Sequence, residues 1–519
     1  MKKVWKAGIA GLAALSIGAA GFFGTSAAFA AVEDNATVTF SGFHAGDVVT
    51  PYKILNLESE TTDEHGNTKY VYSVNAANKA AVIAGMNAIK AQGAADIAST
   101  VSDADLIKAV LAGLKSDNVE KFATAFKTAG PTASDTIDTA SADIQQGYYL
   151  FDLSTVGQPN TTPGTAQYTK SRYMVDTVGS NGVTITIKNG SVTLTKKVQD
   201  NLGETEPGNV AANGGWNDSA DYALGDTVPF QLTGTLPKEY GEYEEYYYQF
   251  VDTMSAGLTY SGDKNVTIVS GTTNLKSCFE ITSSGNGPTT INFTASNLKT
   301  CKAAADLKAG DSIVVEYKAT LNNQAVLGTA GNPNEAKLIF SNDPKQQGEG
   351  HTGVTPTDLV KVFTYDFQGT KTFSITPNDD DLPVFTLTNT TTNKSYTLPV
   401  VKKNGNYTFG VERIDAGVYK LEETYTPAGF NKAEIVEFTL TAVHDAVADN
   451  PTVTITVTPT VTGAASNTAT GAQSTVVNTG GNKLPETGGM GTTVLYAAGA
   501  AIVLIAGIGL AVALRRRQA

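Results

Sequence analysis

The chain has 519 residues, with 37 lysines and arginines against 50 aspartates and glutamates, a net charge of −13, two cysteines and four histidines. That balance excludes a nucleic-acid surface, which needs clustered cations to meet phosphates. The scattered His44, His65, His351 and His444 form no spaced metal-ligand set, so no metal is expected.

In chain order, Lys2, Lys3 and Lys6 precede an apolar run from Ala7 to Phe23, and Ala28-Phe29-Ala30 completes the pattern of a secretory signal peptide cut after Ala30. Ala36–Glu58 alternates apolar and polar residues as a strand does, and from Ala76 to about Thr128 the spacing becomes alanine-rich and helical, as in Ala80–Gln92 and Asp103–Leu114. Strands resume at Gly147–Asp152, Arg172–Asp176 and Gly182–Lys188. Short strands at sandwich-like intervals then run from Ser191–Val198 to Ala336–Phe340, ahead of a glycine- and proline-rich stretch, Asn342–Pro356. A third strand-rich region begins at Asp358 and ends in a threonine-, alanine- and glycine-rich segment, Val461–Ser474. Near the C-terminus stand Leu484-Pro485-Glu486-Thr487-Gly488, an apolar run from Val494 to Leu514 long enough to cross a hydrocarbon core, and Arg515–Arg517, which favour the cytoplasmic side.

Removing residues 1–30 and 488–519 takes away six cations and no acids, so the net charge becomes −19. About 455 residues remain, enough for roughly three domains on the usual length prior. The boundaries read as signal peptide 1–30, a first domain 31–189, a second 190–356, a third 357–480 and a terminal segment 481–519. In an exported chain Cys278 and Cys301 are expected to form a disulfide. No HExxH, GxSxG or phosphate-cradling loop occurs, and Ser261–Lys264 and Ser296–Lys299 lack a Lys-Thr-Gly partner. Glu242, Glu244 and Glu245 lie in a tyrosine-rich loop, so a wall-anchored hydrolase is the weaker alternative. No enzyme and no cofactor are expected.

The terminal trio of pentapeptide, apolar span and arginines resembles the cell-wall sorting signal of Gram-positive surface proteins, which sortases cut at the threonine, here Thr487. Gly417-Val-Tyr-Lys-Leu-Glu-Glu423, continued to Pro427 and Gly429, resembles the signature of collagen-adhesin B-type domains, immunoglobulin-like modules with a spontaneous isopeptide bond. Strand alternation places Tyr419, Leu421 and Glu423 on one face, and Tyr365, Phe367, Gly369 and Lys371 on another. The resemblance implies a Lys371–Asn478 bond assisted by Glu423. A buried amine and a buried carboxyl both favour their neutral forms, so one is a nucleophile and the other can polarise an amide.

Phe250–Leu258 and Gly331–Phe340 resemble strands of the A-type isopeptide domain of fimbrial shafts, with Asp252 as the acid. Alternation through Val192, Leu194 and Val198 selects Lys196, bonded to Asn334, while Lys197 and Asn332 remain competitors because one bulge exchanges them. Lys188-Asn189 sits where shaft pilins carry a pilin motif, although Thr186-Ile187 replaces the expected Tyr-Pro. A Lys53–Asn189 bond in the first domain is not expected, because Gly147–Asp152 lacks a glutamate at the place where the resemblance puts the assisting acid.

Taken together the chain resembles a sortase-assembled major pilin. The resemblance implies a mostly β fold of three tandem immunoglobulin-like sandwiches, the first with a helical insertion. It further implies covalent polymerisation from Lys188 to Thr487 of the next copy, with adhesion as the outcome. Implied partners are pilus-specific and housekeeping sortases, identical subunits, ancillary pilins, peptidoglycan and a host ligand of undetermined identity. The same modules in a monomeric wall-anchored adhesin are the alternative.

Overall fold

The computed structural model describes residues 34–65, 68–158, 162–201, 215–346, 351–445 and 448–481. Ala30, the apolar run 494–514 and the Leu484–Gly488 segment lie outside these residues. No helix among the described residues is long and apolar enough to cross a membrane. The chain divides into two compact units, one of residues up to 205 with 209–364 and 444–453, the other centred on 365–443 and 454 onward.

The first unit begins with Asn35–Ser41, whose strict alternation sends Ala36, Val38 and Phe40 inward. It pairs antiparallel with Ser141–Gln145 and parallel with Val183–Thr186. A four-stranded sheet carries Thr68–Val74, Val48–Thr62, Gly147–Thr155 and Met174–Val178 in that order. Three helices are inserted between its strands, Lys79–Ile89, Asp103–Gly113 and Val119–Thr128. The third falls within the helical stretch expected to run to about Thr128. Ser102 caps the second helix by accepting the Asp105 N–H. Their apolar faces bury Val82, Leu106, Val110, Phe122 and Phe126 against Ile54, Leu55 and Leu150. Gly85 permits the close crossing, since a Cβ there would stand 2.6 Å from the Phe122 ring.

The same unit continues into two facing seven-stranded sheets. One contains Leu194–Gln199, Thr227–Thr235 and Ser312–Leu321 side by side; the other contains Asp358–Phe363, Asn332–Ser341, Tyr248–Met254 and Thr289–Ala295. Each long strand alternates buried and accessible residues, which is why the inner faces meet in one core. Asp358–Phe363 is hydrogen-bonded in this sandwich, beyond the boundary expected at 356. Cys278 and Cys301 are joined by a disulfide, their Cα atoms 5.6 Å apart.

The second unit is a smaller sandwich of two five-stranded sheets. Its first strand, Tyr365–Phe373, pairs in parallel with its last long strand, Gly471–Asn478. Gly417–Tyr425 lies in the facing sheet between Val384–Asn389 and Val436–His444.

Candidate cross-link sites and acceptor lysine

In the first unit the pleat of Leu194–Gln199 turns Leu194, Lys196 and Val198 into the core. Asp252 and Asn334 reach the same interior from adjacent strands of the facing sheet, where Met254 opposes Asn334 and Asp252 opposes Ala336. Lys196, Asp252 and Asn334 are each 0% exposed. The Lys196 amine donates to Asp252 Oδ2 and, over 2.8 Å, to the Tyr317 hydroxyl. That hydroxyl donates to Asp252 Oδ2 at 2.7 Å and accepts from Asn334 Nδ2 at 2.8 Å. Burial lowers the Lys196 pKa and raises that of Asp252, each shift opposed by the partner's charge, so the pair is driven toward its neutral form.

The competitors have other partners. Lys197 points to the surface side and pairs with Asp218 at 2.5 Å. Asn332 is buried, but it holds backbone: its Oδ1 accepts the Val326 N–H at 2.8 Å and its Nδ2 donates to the Val326 and Val362 carbonyls. Tyr317 was missed in the sequence. Its inward position on Ser312–Leu321 follows from alternation, but an inward tyrosine reads as core until its neighbours are known.

In the second unit Lys371 opposes Val476 across the parallel pair, with Asn478 on the same strand and Glu423 in the facing sheet. All three are nearly fully buried, at 2%, 0% and 1% exposure for Lys371, Asn478 and Glu423. Asn478 Nδ2 donates to Glu423 Oε1 at 2.9 Å, to Oε2 at 3.1 Å and to the Asn431 carbonyl at 2.7 Å. The Ala433 N–H also bonds Glu423 Oε2, a loop contribution invisible in the strand pattern. The Lys371 amine instead donates to the Thr372 carbonyl at 2.6 Å and the Val476 carbonyl at 3.2 Å, and sits 4.4 Å from the Phe373 ring centroid. Burial lowers its pKa to about 8, against the attraction of Glu423. Both arrangements place a readily deprotonated amine, a carboxyl and a primary amide out of water, the set needed for amine attack on the amide with loss of ammonia.

Lys188 follows Val183–Thr186, where Ile185 and Ile187 turn inward and leave Lys188 exposed. It lies on a groove of about 670 Å³ shared with Arg172, Tyr173, Lys238, Glu239 and Glu242. Lys53 donates to Gln145 Oε1 at 2.9 Å, whereas Asn189 meets His44 at 3.2 Å, so these two residues are not brought together. Asp152 is held by Lys345 at 2.6 Å and Lys127 at 3.1 Å.

Among the described residues, one set of potential metal donors lies within 4.8 Å: Asp200, Asp221 and His444, all in the first unit. Burial opposes the charged imidazole, but Asp221 and Asp200 outweigh it and raise His444, which reads as an ion pair with Asp221 at 3.7 Å.

Residues 224–344 match the family described as Gram-positive pilin backbone subunit 2, Cna-B-like domain, and residues 476–519 match the LPXTG cell wall anchor motif. The chain thus carries a stretch similar to a Gram-positive backbone-pilin domain and a stretch similar to a cell-wall anchor, within a mostly β, multi-domain fold. Over 311 residues the chain is 24% identical to the trypsin-resistant surface T6 protein of Streptococcus pyogenes serotype M6, covering 55% of this chain and 52% of that one. The chain thus spans about half the length of the curated relative it matches. The fold is similar to that of the T6 backbone pilin of the same organism, described as a modular three-domain structure, at 17% identity and a TM-score of 0.50, covering 86% of this chain and 99% of the other.

Proposed function

We propose that this chain is the structural subunit of a covalent pilus shaft, joined by a sortase from Lys188 of one copy to Thr487 of the next, with the last copy transferred to peptidoglycan. Pilus-specific and housekeeping sortases, ancillary pilins and a host ligand complete the set of partners. The observation that carries the reading is the exposed Lys188 on a groove of a backbone-pilin chain that also bears an anchor motif. Sortase forms a threonyl thioester, and an exposed primary amine with space around it is what resolves that intermediate into an isopeptide.

Lys196–Asn334 and Lys371–Asn478 bonds fit this role. In the second unit the lysine strand is the first and the asparagine strand the last long one, and in the sandwich of the first unit the lysine strand comes early and the asparagine strand late. A covalent tie between them carries tension past the hydrogen-bonded strands between, which then need not unzip. The protein modifies itself once at each site and turns over no substrate. Replacing Lys188 by alanine in cells is expected to abolish the high-mass ladder of wall extracts while monomer remains anchored. An unchanged ladder removes Lys188 from the joint, and a wild type without any ladder supports the monomeric adhesin.

A further inference from the structure

The Lys196 site holds a fourth polar group that the lysine, acid and asparagine scheme leaves without a task. The Tyr317 hydroxyl touches all three of the others: Lys196 Nζ at 2.8 Å, Asn334 Nδ2 at 2.8 Å and Asp252 Oδ2 at 2.7 Å. Its ring is 1% exposed and packs against Phe230 and Phe293, at centroid distances of 5.4 and 5.7 Å. Asn334 Oδ1 has no hydrogen-bond partner, and neither has Asp252 Oδ1.

We infer that Tyr317 is a catalytic proton relay for the Lys196–Asn334 cross-link, carrying a proton from the attacking amine to the departing amide nitrogen. This rests on the cross-link reading above. The chemistry requires such a carrier. Lys196 first passes one ammonium proton to Asp252, leaving a neutral amine and a carboxylic acid that can donate to the unengaged Asn334 Oδ1. Nζ then attacks Asn334 Cγ. The new nitrogen substituent bears two hydrogens and must lose one, while Nδ2 bears two and must gain one to leave as ammonia rather than as a strongly basic amide ion. Water does not reach these buried atoms, and in this scheme the proton on Asp252 is the one offered to the carbonyl oxygen. The Tyr317 oxygen contacts both nitrogens at once, so it takes the proton from Nζ as it gives its own to Nδ2. The Nζ–Cγ bond forms, the Cγ–Nδ2 bond breaks, and the phenol ends as it began. Burial raises the Tyr317 pKa well above its usual value, so a free tyrosinate is disfavoured and the two transfers are concerted.

Tyr317→Phe removes only the oxygen and keeps the stacked ring. In the full secreted chain, timed peptide mapping is expected to show Lys196–Asn334 linkage slowed by about 10²-fold or more, the usual worth of positioned acid–base catalysis. The Lys371–Asn478 bond in the same molecules reports that the second unit has folded and serves as the internal clock, while retention of the Cys278–Cys301 disulfide and protease resistance of residues 215–346 report folding of the first unit. A wild type lacking the Lys196–Asn334 bond overturns the cross-link reading itself. A wild type that links, beside a Tyr317→Phe chain that links as fast, overturns the relay and leaves the cross-link standing. Ring-fluorinated tyrosine at 317 preserves the hydrogen bonds while changing phenol acidity; a linkage rate that does not respond also overturns the relay.

Discussion

The two candidate cross-link sites assemble amine, acid and amide with different strand geometry. In the first unit Lys196 and Asn334 come from facing sheets, and amine, acid and amide meet at one tyrosine oxygen. In the second, Lys371 and Asn478 lie on adjacent parallel strands of one sheet; Glu423 reaches across to the amide, and the amine is engaged by backbone carbonyls. A link between sheets fixes the sandwich across its core, whereas a link within a sheet pins first strand to last. The difference also separates a site whose groups already touch from one whose lysine must first exchange carbonyls for its target.

The sharpest way to break this comparison is to remove each acid. Asp252→Ala removes both the proton acceptor and a hydrogen-bond partner of a fully buried amine, and leaving buried polar groups unsatisfied costs about 1–3 kcal/mol each. The expected result is loss of one ammonia deficit from the intact mass together with a large fall in the melting temperature of the first unit. Glu423→Ala removes the other deficit, but Lys371 keeps two carbonyl acceptors, so less stability beyond the lost bond is expected to disappear. Equal losses in calorimetry of the two variants would show that the amine's surroundings do not matter.

The next effect is kinetic. Below about 8 the Lys371 amine is mostly protonated and cannot attack. Its lowered pKa means that the neutral fraction grows as pH rises through that value, so linkage in the second unit is expected to accelerate between pH 6 and pH 9. Lys196 hands its proton to Asp252 inside the core, so its linkage is expected to be nearly flat over the same range and to finish first. Peptide mapping of timed samples from freshly made chain checks both statements. Parallel pH profiles, or the Lys371–Asn478 bond appearing first, would erase the distinction.

Much of this was legible in the sequence because both sites obey the two-residue period of a strand. Alternation alone turned Lys196 inward beside Leu194 and Val198, and Glu423 inward beside Tyr419 and Leu421. What escaped depended on contacts between elements distant in sequence. Tyr317 becomes more than core only because its strand faces Asp252 across the sandwich, and the Ala433 N–H and Asn431 carbonyl that fix Glu423 and Asn478 come from a loop without period. The Asp358–Phe363 strand reads as the start of a third domain by position, yet its edge pairs with Asn332–Ser341. Hydrogen-bond partners of a strand are not written in its own residues.

The smallest effects test the register on which the comparison stands. Asn332 satisfies three backbone groups around Val326 and Val362, so Asn332→Ala is expected to cost about 1–3 kcal/mol through unsatisfied buried polar groups while the ammonia deficit persists. Lys197→Ala breaks a partly exposed pair with Asp218, worth about 0–1 kcal/mol, and is expected to leave both melting and mass deficit almost unchanged. Slipping the pleat by one residue exchanges the faces of the strand. Loss of the first-unit deficit in Lys197→Ala, with retention in Lys196→Ala, would therefore place Lys197 at the reacting position and dissolve the contact among Lys196, Tyr317 and Asp252 as the chemical centre of this unit.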